Sequence, residues 1–321
     1  MDARRRLMLA AAALCSLGAR AQSFPSRPVR LVVPLAPGGA TDIVARILAE
    51  KAGSLLGQPM VVDNRPGAGG TVGSALVANA TPDGHTLLMG TVGTLAVSPG
   101  MYRNLAYDTE RDLAPVALVS AGNFALAAST SLPSASVQDF LRQARTRPGE
   151  LNYGSAGNAS MPHLGMELLS AAAGIRLTHV PYKSSGQLVA ALMAGEVQAG
   201  LPDVPAVLQQ FRAGRVRILA VAGQARDPLL PEVPTLAESG VAGFDIGSWL
   251  GVMAPARAPA PVIAQLNDAI VKALQSAEVI SRLKDLGMRP IASTPADFRA
   301  FLQRERVKWE SVVRASGVTV E

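Results

Sequence analysis

The dominant pattern in this chain is a repeated succession of a short apolar run, a Gly- or Pro-containing loop and a segment at helical spacing. Val29–Val33 reads as a buried strand and Pro34–Thr41 as a loop. Asp42 then opens a helix in which Ile43, Val44, Ile47, Leu48 and Leu55 share one face. Strands are predicted at Met60–Asp63, Thr86–Met89, Ala114–Val119, Phe124–Ala128, Asn152–Gly154, Thr178–Val180, Val197–Leu201, Val216–Ala222 and Ser248–Met253. Helices are predicted at Thr71–Asn79, Val137–Thr146, Met161–Ala173 and Gln187–Ala194, with a further one ending at Ala213. Alternation of this kind implies α/β architecture, with mostly parallel sheets flanked by helices. The C-terminal part breaks the pattern: Pro261–Ser276, Glu278–Leu286 and Pro295–Ser316 are helical without strands between them. Such helices must cover a sheet built earlier, so the chain is expected to start one lobe, build a second and return. The stripe Phe298, Phe301, Leu302, Val312 and Val313 suits that packing.

The N-terminus reads as an export signal. Arg4, Arg5 and Arg6 precede an apolar run from Leu7 to Leu17, and Ala19-Arg20-Ala21 offers the small-x-small pattern of a cleavage site. The run is too short for the roughly 20 residues that span a bilayer. Leu14 before Cys15 argues against lipidation, and Arg5-Arg6 leaves both Sec and twin-arginine export open. Of the formal +6 charge of the 321-residue chain, residues 1–21 carry about half. The remainder has no cysteine, no basic block and no interleaving of aromatics with cations, which excludes a nucleic-acid partner and a disulfide framework. His85, His163 and His179 lack ligand spacing, so no metal and no cofactor is expected.

Three glycine-containing loops precede helices. In Pro37-Gly38-Gly39-Ala40-Thr41-Asp42, bare backbone N–H groups at a helix start favour a carboxylate or phosphate, unless Thr41 or Asp42 caps them. Asn64-Arg65-Pro66-Gly67-Ala68-Gly69-Gly70 lacks the dinucleotide spacing, since Val72 stands where a third glycine is needed, and reads as a tight turn beside the first loop. In Asn152-Tyr153-Gly154-Ser155-Ala156-Gly157-Asn158-Ala159-Ser160, Tyr153 occupies the position where a nucleophile elbow needs glycine. His163 follows Ser160 by one helical turn, a spacing that capping explains as well as catalysis does. Two glycine-rich helix ends, one per lobe, would grip a small anion across a cleft.

Five ordered motifs carry a family resemblance: Pro37-Gly38-Gly39 with Asp42, Ala45 and Arg46; Asn64 to Gly70; Asn152 to Gly157; His179-Val180-Pro181-Tyr182-Lys183; and Pro231 to Glu238. With Ala254-Pro255 closing the late strand, the chain resembles the Bug family, the TctC-like extracytoplasmic solute receptors of tripartite tricarboxylate transporters. The resemblance implies a two-lobed periplasmic binding protein of the Venus-flytrap kind and no enzyme. It implies a monomer that closes on a small organic anion or amino-acid-like solute and is then met by membrane permease subunits. It places contacts at Gly38, Gly39 and Thr41, with Asp42 orienting the loop, and at Thr91, Ser155, Ala156, Gly157, His163 and Asp203. Asp203 would select a solute bearing an amine or hydroxyl, or repel an extra carboxylate. Ser184, Ala159, Pro162 and Ser248-Trp249-Leu250-Gly251 depart from the family's usual residues. The lobes are expected at 22–122 with 247–321 and at 123–246, hinged near Gly122 and Gly247. Two other readings stand beside this one: a periplasmic hydrolase using Ser155 or Ser160 with His163, and a sensor that touches a membrane kinase.

Overall fold

The computed structural model describes residues 24–158 and 160–316. The export signal read at residues 1–21, and Cys15 with it, lies outside them. The first sheet contains β1 (Val29–Val33), β2 (Met60–Asn64), β3 (Thr86–Thr91), β4 (Leu113–Asn123), β10 (Gly247–Pro255) and β11 (Arg289–Pro290), in the order β11-β4-β10-β3-β1-β2. The second contains β5 (Ala125–Ser129), β6 (Asn152–Ser155), β7 (Thr178–Pro181), β8 (Ala199–Gly200) and β9 (Val216–Val221), in the order β7-β6-β8-β5-β9.

The fold is the expected two-lobed α/β arrangement, with one correction. Both sheets are mixed. β1 pairs in parallel with β2 and β3, whereas β10 runs antiparallel to both β3 and β4. In the second sheet β6 is parallel to β7 and β8, and β5 is antiparallel to β8 and β9. The cause is the path of the chain. It leaves the first sheet along β4 and returns along β10, and adjacent strands that lead out and back are antiparallel by necessity. Gly247 pairs with Asn123 and Ser248 with Gly122 at the crossing. The short β11 was not legible in the sequence because Pro290 and two residues of pairing leave no periodicity.

The helices are α1 (Ala40–Leu56), α2 (Thr71–Ala78), α3 (Ser98–Met101), α4 (Val137–Thr146), α5 (Met161–Ala173), α6 (Ser185–Ala194), α7 (Val204–Arg212), α8 (Ala260–Gln275), α9 (Ala277–Asp285) and α10 (Pro295–Ser316). On α1, Val44, Ala45, Ile47, Leu48, Ala52 and Leu56 bury the face that packs on the first sheet. α10 lies over β4, with Phe298, Leu302, Trp309 and Val313 buried. Gly251 makes that approach possible: a Cβ there would lie well inside contact distance of the Phe298 ring. Trp249 meets the Phe298 and Phe301 rings edge-on, at centroid distances of 6.1 and 5.3 Å. α10 also reaches across the crossing, where Lys308 pairs with Asp245 at 3.3 Å.

Candidate functional site

The loop before α1 is held from behind. Asp42, buried in the first turn, accepts from the Gly38 N–H (3.0 Å), from Arg46 (2.9 and 3.1 Å) and from the Asn64 amide (3.0 Å). Asn64 also donates to the Leu35 carbonyl at 3.1 Å. Burial alone would raise the Asp42 carboxyl. The Arg46 guanidinium, the Gly38 N–H and the Asn64 amide outweigh it and hold the group below the usual carboxylate range. Asp42 is therefore committed to shaping the loop, with its charge already matched. The helix N-cap is Gly39, which has no side chain to cap the first N–H groups of α1. Neither Thr41 nor Asp42 acts as the N-cap.

The opposing loop in the second lobe is wired internally. Ser155 Oγ donates to the Gly157 carbonyl (3.0 Å) and accepts from the Gly157 N–H (3.1 Å), and lies 2.7 Å from His179 Nε2. Ser160 is the N-cap of α5: its hydroxyl accepts from the His163 N–H at 3.4 Å and donates to the Gly157 carbonyl at 2.7 Å. His163 and His179 stack at 4.0 Å, Tyr153 stacks on His179 at 4.9 Å, and the Tyr153 hydroxyl meets Glu167 at 2.5 Å. Burial, with His163 beside it, lowers His179 to about 4; burial lowers His163 as well, against the pull of Glu167. Ser155 thus meets His179, and Ser160 meets the His163 backbone, so the Ser–His pairings read from local spacing do not form a catalytic pair.

Between these loops lies a cavity of about 50 Å³. Of the residues anticipated in the sequence, Thr41, Thr91, Ala156 and Asp203 line it. Gly38, Gly39, Asp42, Ser155, Gly157 and His163 do not line it. Residues the sequence reading missed include Leu35, Phe124, Met161, Ser185, Ser248 and Trp249. Ser248 and Trp249 had a signal, a strand departing from the family's usual residues, and Ser185 adjoins the irregular Ser184. Phe124 had none beyond its place at the crossing. Among the described residues no lysine, arginine or histidine lines the cavity.

The carboxyl group in the wall is that of Asp203, which is half-buried. Burial pushes its carboxyl up, and hydroxyls from Ser185 (2.6 Å) and Ser248 (3.5 Å) offset part of the shift. Thr91 is fixed by a reciprocal pair: its N–H donates to Thr94 Oγ1 (3.0 Å), and the Thr94 N–H donates to Thr91 Oγ1 (3.2 Å). The second glycine loop is the turn that was expected, packed on Pro34. It also lines the cavity and meets the opposite loop there: Gly69, at φ +65°, lies so close that a Cβ would be 2.5 Å from the Asn158 carbonyl oxygen. Among the described residues no group of three or more His, Cys, Asp and Glu is placed to hold a metal ion, and no helix is long and apolar enough to cross a membrane.

A cavity between two lobes joined by crossing strands, with the first turn of an uncapped helix in its wall, is the site of a solute receptor. A family described as "Tripartite tricarboxylate transporter family receptor" (TctC) matches residues 44–318. The chain is 37% identical over 302 residues to the protein BugT of Bordetella pertussis, covering 94% of this chain and 93% of that one. It is similar to Rhodopseudomonas palustris Rpa4515, solved with adipate (36% identity, TM-score 0.89, 92% of this chain and 99% of that one). MatC from Rhodopseudomonas palustris, solved with bound malate, is similar too (36% identity, TM-score 0.87, 90% and 100%). The chain belongs to the TctC family of tripartite tricarboxylate transporter receptors. Members of this family are periplasmic solute-binding proteins rather than enzymes, which sets the hydrolase reading aside.

Proposed function

We propose that this receptor closes on a small carboxylate-bearing solute and delivers it to the membrane permease of a tripartite transporter, working as a monomer in the periplasm after cleavage near Ala21. The observation that carries the reading is the polarity of the cavity: uncapped backbone N–H groups of α1 on one side and Asp203 on the other, with no cationic side chain between. Helix N–H donors and the helix dipole favour a carboxylate at the first pole. The acceptors at the second pole favour a solute that brings an amine or hydroxyl donor there. Thr41, Thr91, Ala156 and Asp203 are the proposed contacts, with Gly38, Gly39 and Asp42 shaping the donor loop and Ser155, Gly157 and His163 the opposite wall. The malate and adipate held by the two similar receptors support the carboxylate half of the reading.

Closure is proposed as rotation of residues 123–246 against 24–122 and 247–316 about Gly122 and Gly247. Solute contacts made only when the lobes meet supply the differential affinity that shifts the population. The test is a thermal-shift panel of carboxylates, hydroxy acids, amino acids and the matching amides on refolded protein. A carboxylate that raises Tm while its amide does not is the expected result. Stabilisation by amides alone, or consumption of the stabilising compound, would overturn it.

A further inference from the structure

A second cavity, about 620 Å³, lies on the other side of the crossing strands. In the first sheet β11 and β3 flank the β4–β10 pair from opposite sides. The end of β3 contributes to the solute cavity, whereas Met288, Arg289 and Pro290 around β11 line the second one. Its remaining walls are Gly122 and Asn123 at the end of β4 and the loop 225–229 that follows β9 in the other lobe. The floor is apolar, with Leu229, Met288, Pro228 and Pro290. The rim is cationic. Lys284 and Arg289 are exposed and, among the described residues, neither has a carboxylate within ion-pairing distance. The acid of the wall, Asp227, is occupied: it accepts from the Asn123 amide at 3.0 Å and from the Leu229 N–H at 2.9 Å. Arg226 is engaged by Glu238 at 2.9 Å.

We infer that this cavity is a second binding site, for a small amphipathic organic anion whose apolar body fills the floor and whose charged head meets Lys284 and Arg289. An apolar pocket with a few convergent charged groups is the usual form of a small-molecule site. The walls come from both lobes and stand across the crossing strands from the solute cavity. Gly287 already sits against Val204 and Leu229 of the other lobe, where an added Cβ would lie 3.3 and 3.2 Å from their side chains. Rotation that opens the solute cleft draws these walls together, so an occupant holds the lobes closed. By linkage, its affinity is greater for the closed receptor.

The probe is octanoate, titrated calorimetrically into the refolded mature chain. It binds, and the double variant K284E/R289E, which changes two surface cations outside the solute cavity, weakens it roughly tenfold or more. Small-angle scattering shows a smaller radius of gyration with octanoate present. The proposal is overturned if octanoate fails to bind or if K284E/R289E binds it as well as wild type. An unchanged radius of gyration at saturating octanoate overturns the coupling to closure. None of these readouts depends on which solute the other cavity takes.

Discussion

The two helix ends that face the solute cavity are built in opposite ways. At α1 the N-cap is a glycine, and the polar side chain in the first turn, Asp42, points back into the loop and holds it from behind. At α5 the N-cap is Ser160, and its hydroxyl satisfies the helix while the neighbouring Ser155 binds its own loop. A capped end has little left to offer a ligand; an uncapped end on a rigid loop keeps its donors available at no cost of reorganisation. The two loops look alike as strings of small residues. They differ in whether the side chain near the helix start faces the backbone donors or supports them from behind. One lobe therefore supplies donors and the other supplies shape and an acceptor, Asp203.

The largest effect tests the donor end. Asp42→Ala leaves Arg46 and Asn64 without their shared acceptor and frees the loop. It is expected to lower solute affinity about a hundredfold, and stability by about 3 kcal/mol, in calorimetry and thermal melts. If Asp42→Ala keeps wild-type affinity, the loop is not the rigid element described. Next is the contact between the loops. Gly69→Val places a branched Cβ at positive φ against the Asn158 carbonyl, and closure should weaken by roughly tenfold or more, seen as faster solute dissociation.

Asp203→Asn should weaken an amine- or hydroxyl-bearing solute about tenfold while sparing a plain carboxylate. Unchanged affinity for the true solute would remove Asp203 from the acceptor pole. The pH response follows from the shape-giving wall. The unfolded chain protonates His179 near 6.5, the folded one only near about 4, so on acidification the unfolded state binds more protons and stability falls across that window. About 2 kcal/mol is expected to be lost in denaturant titrations, and His179→Gln should flatten the profile. The smallest effect is Ser160→Ala, a lost cap of about 1 kcal/mol in a thermal melt, with solute affinity within roughly threefold. A loss as large as that of Asp42→Ala would erase the contrast between the two ends.

Local patterns in the sequence carried the helices and most strands, because burial of one face leaves a periodic trace. They also carried the first glycine loop, since Gly38, Gly39 and Asp42 sit together in the chain. What they did not carry are contacts set by strand register. The parallel pairing of β6 with β7 puts Tyr153 opposite His179 and brings His179 to Ser155, so the histidine one turn from Ser160 was the wrong partner to expect. The mixed sheets have the same origin, the first in the pairing of β4 with β10, more than a hundred residues apart in the chain, and the second in the pairing of β5 with β8 and β9. Asp203 and Ser185, joined at 2.6 Å, come from two different helix starts and share no local motif.

The polarity of the cavity is tested most directly by a crystal structure of the refolded protein grown with the most stabilising compound of the carboxylate panel. The account predicts the solute carboxylate within hydrogen-bonding distance of the N–H groups at the start of α1, and a donor of the solute facing Asp203. A carboxylate bound instead at the Ser160 end, with the first turn of α1 bare, would contradict it.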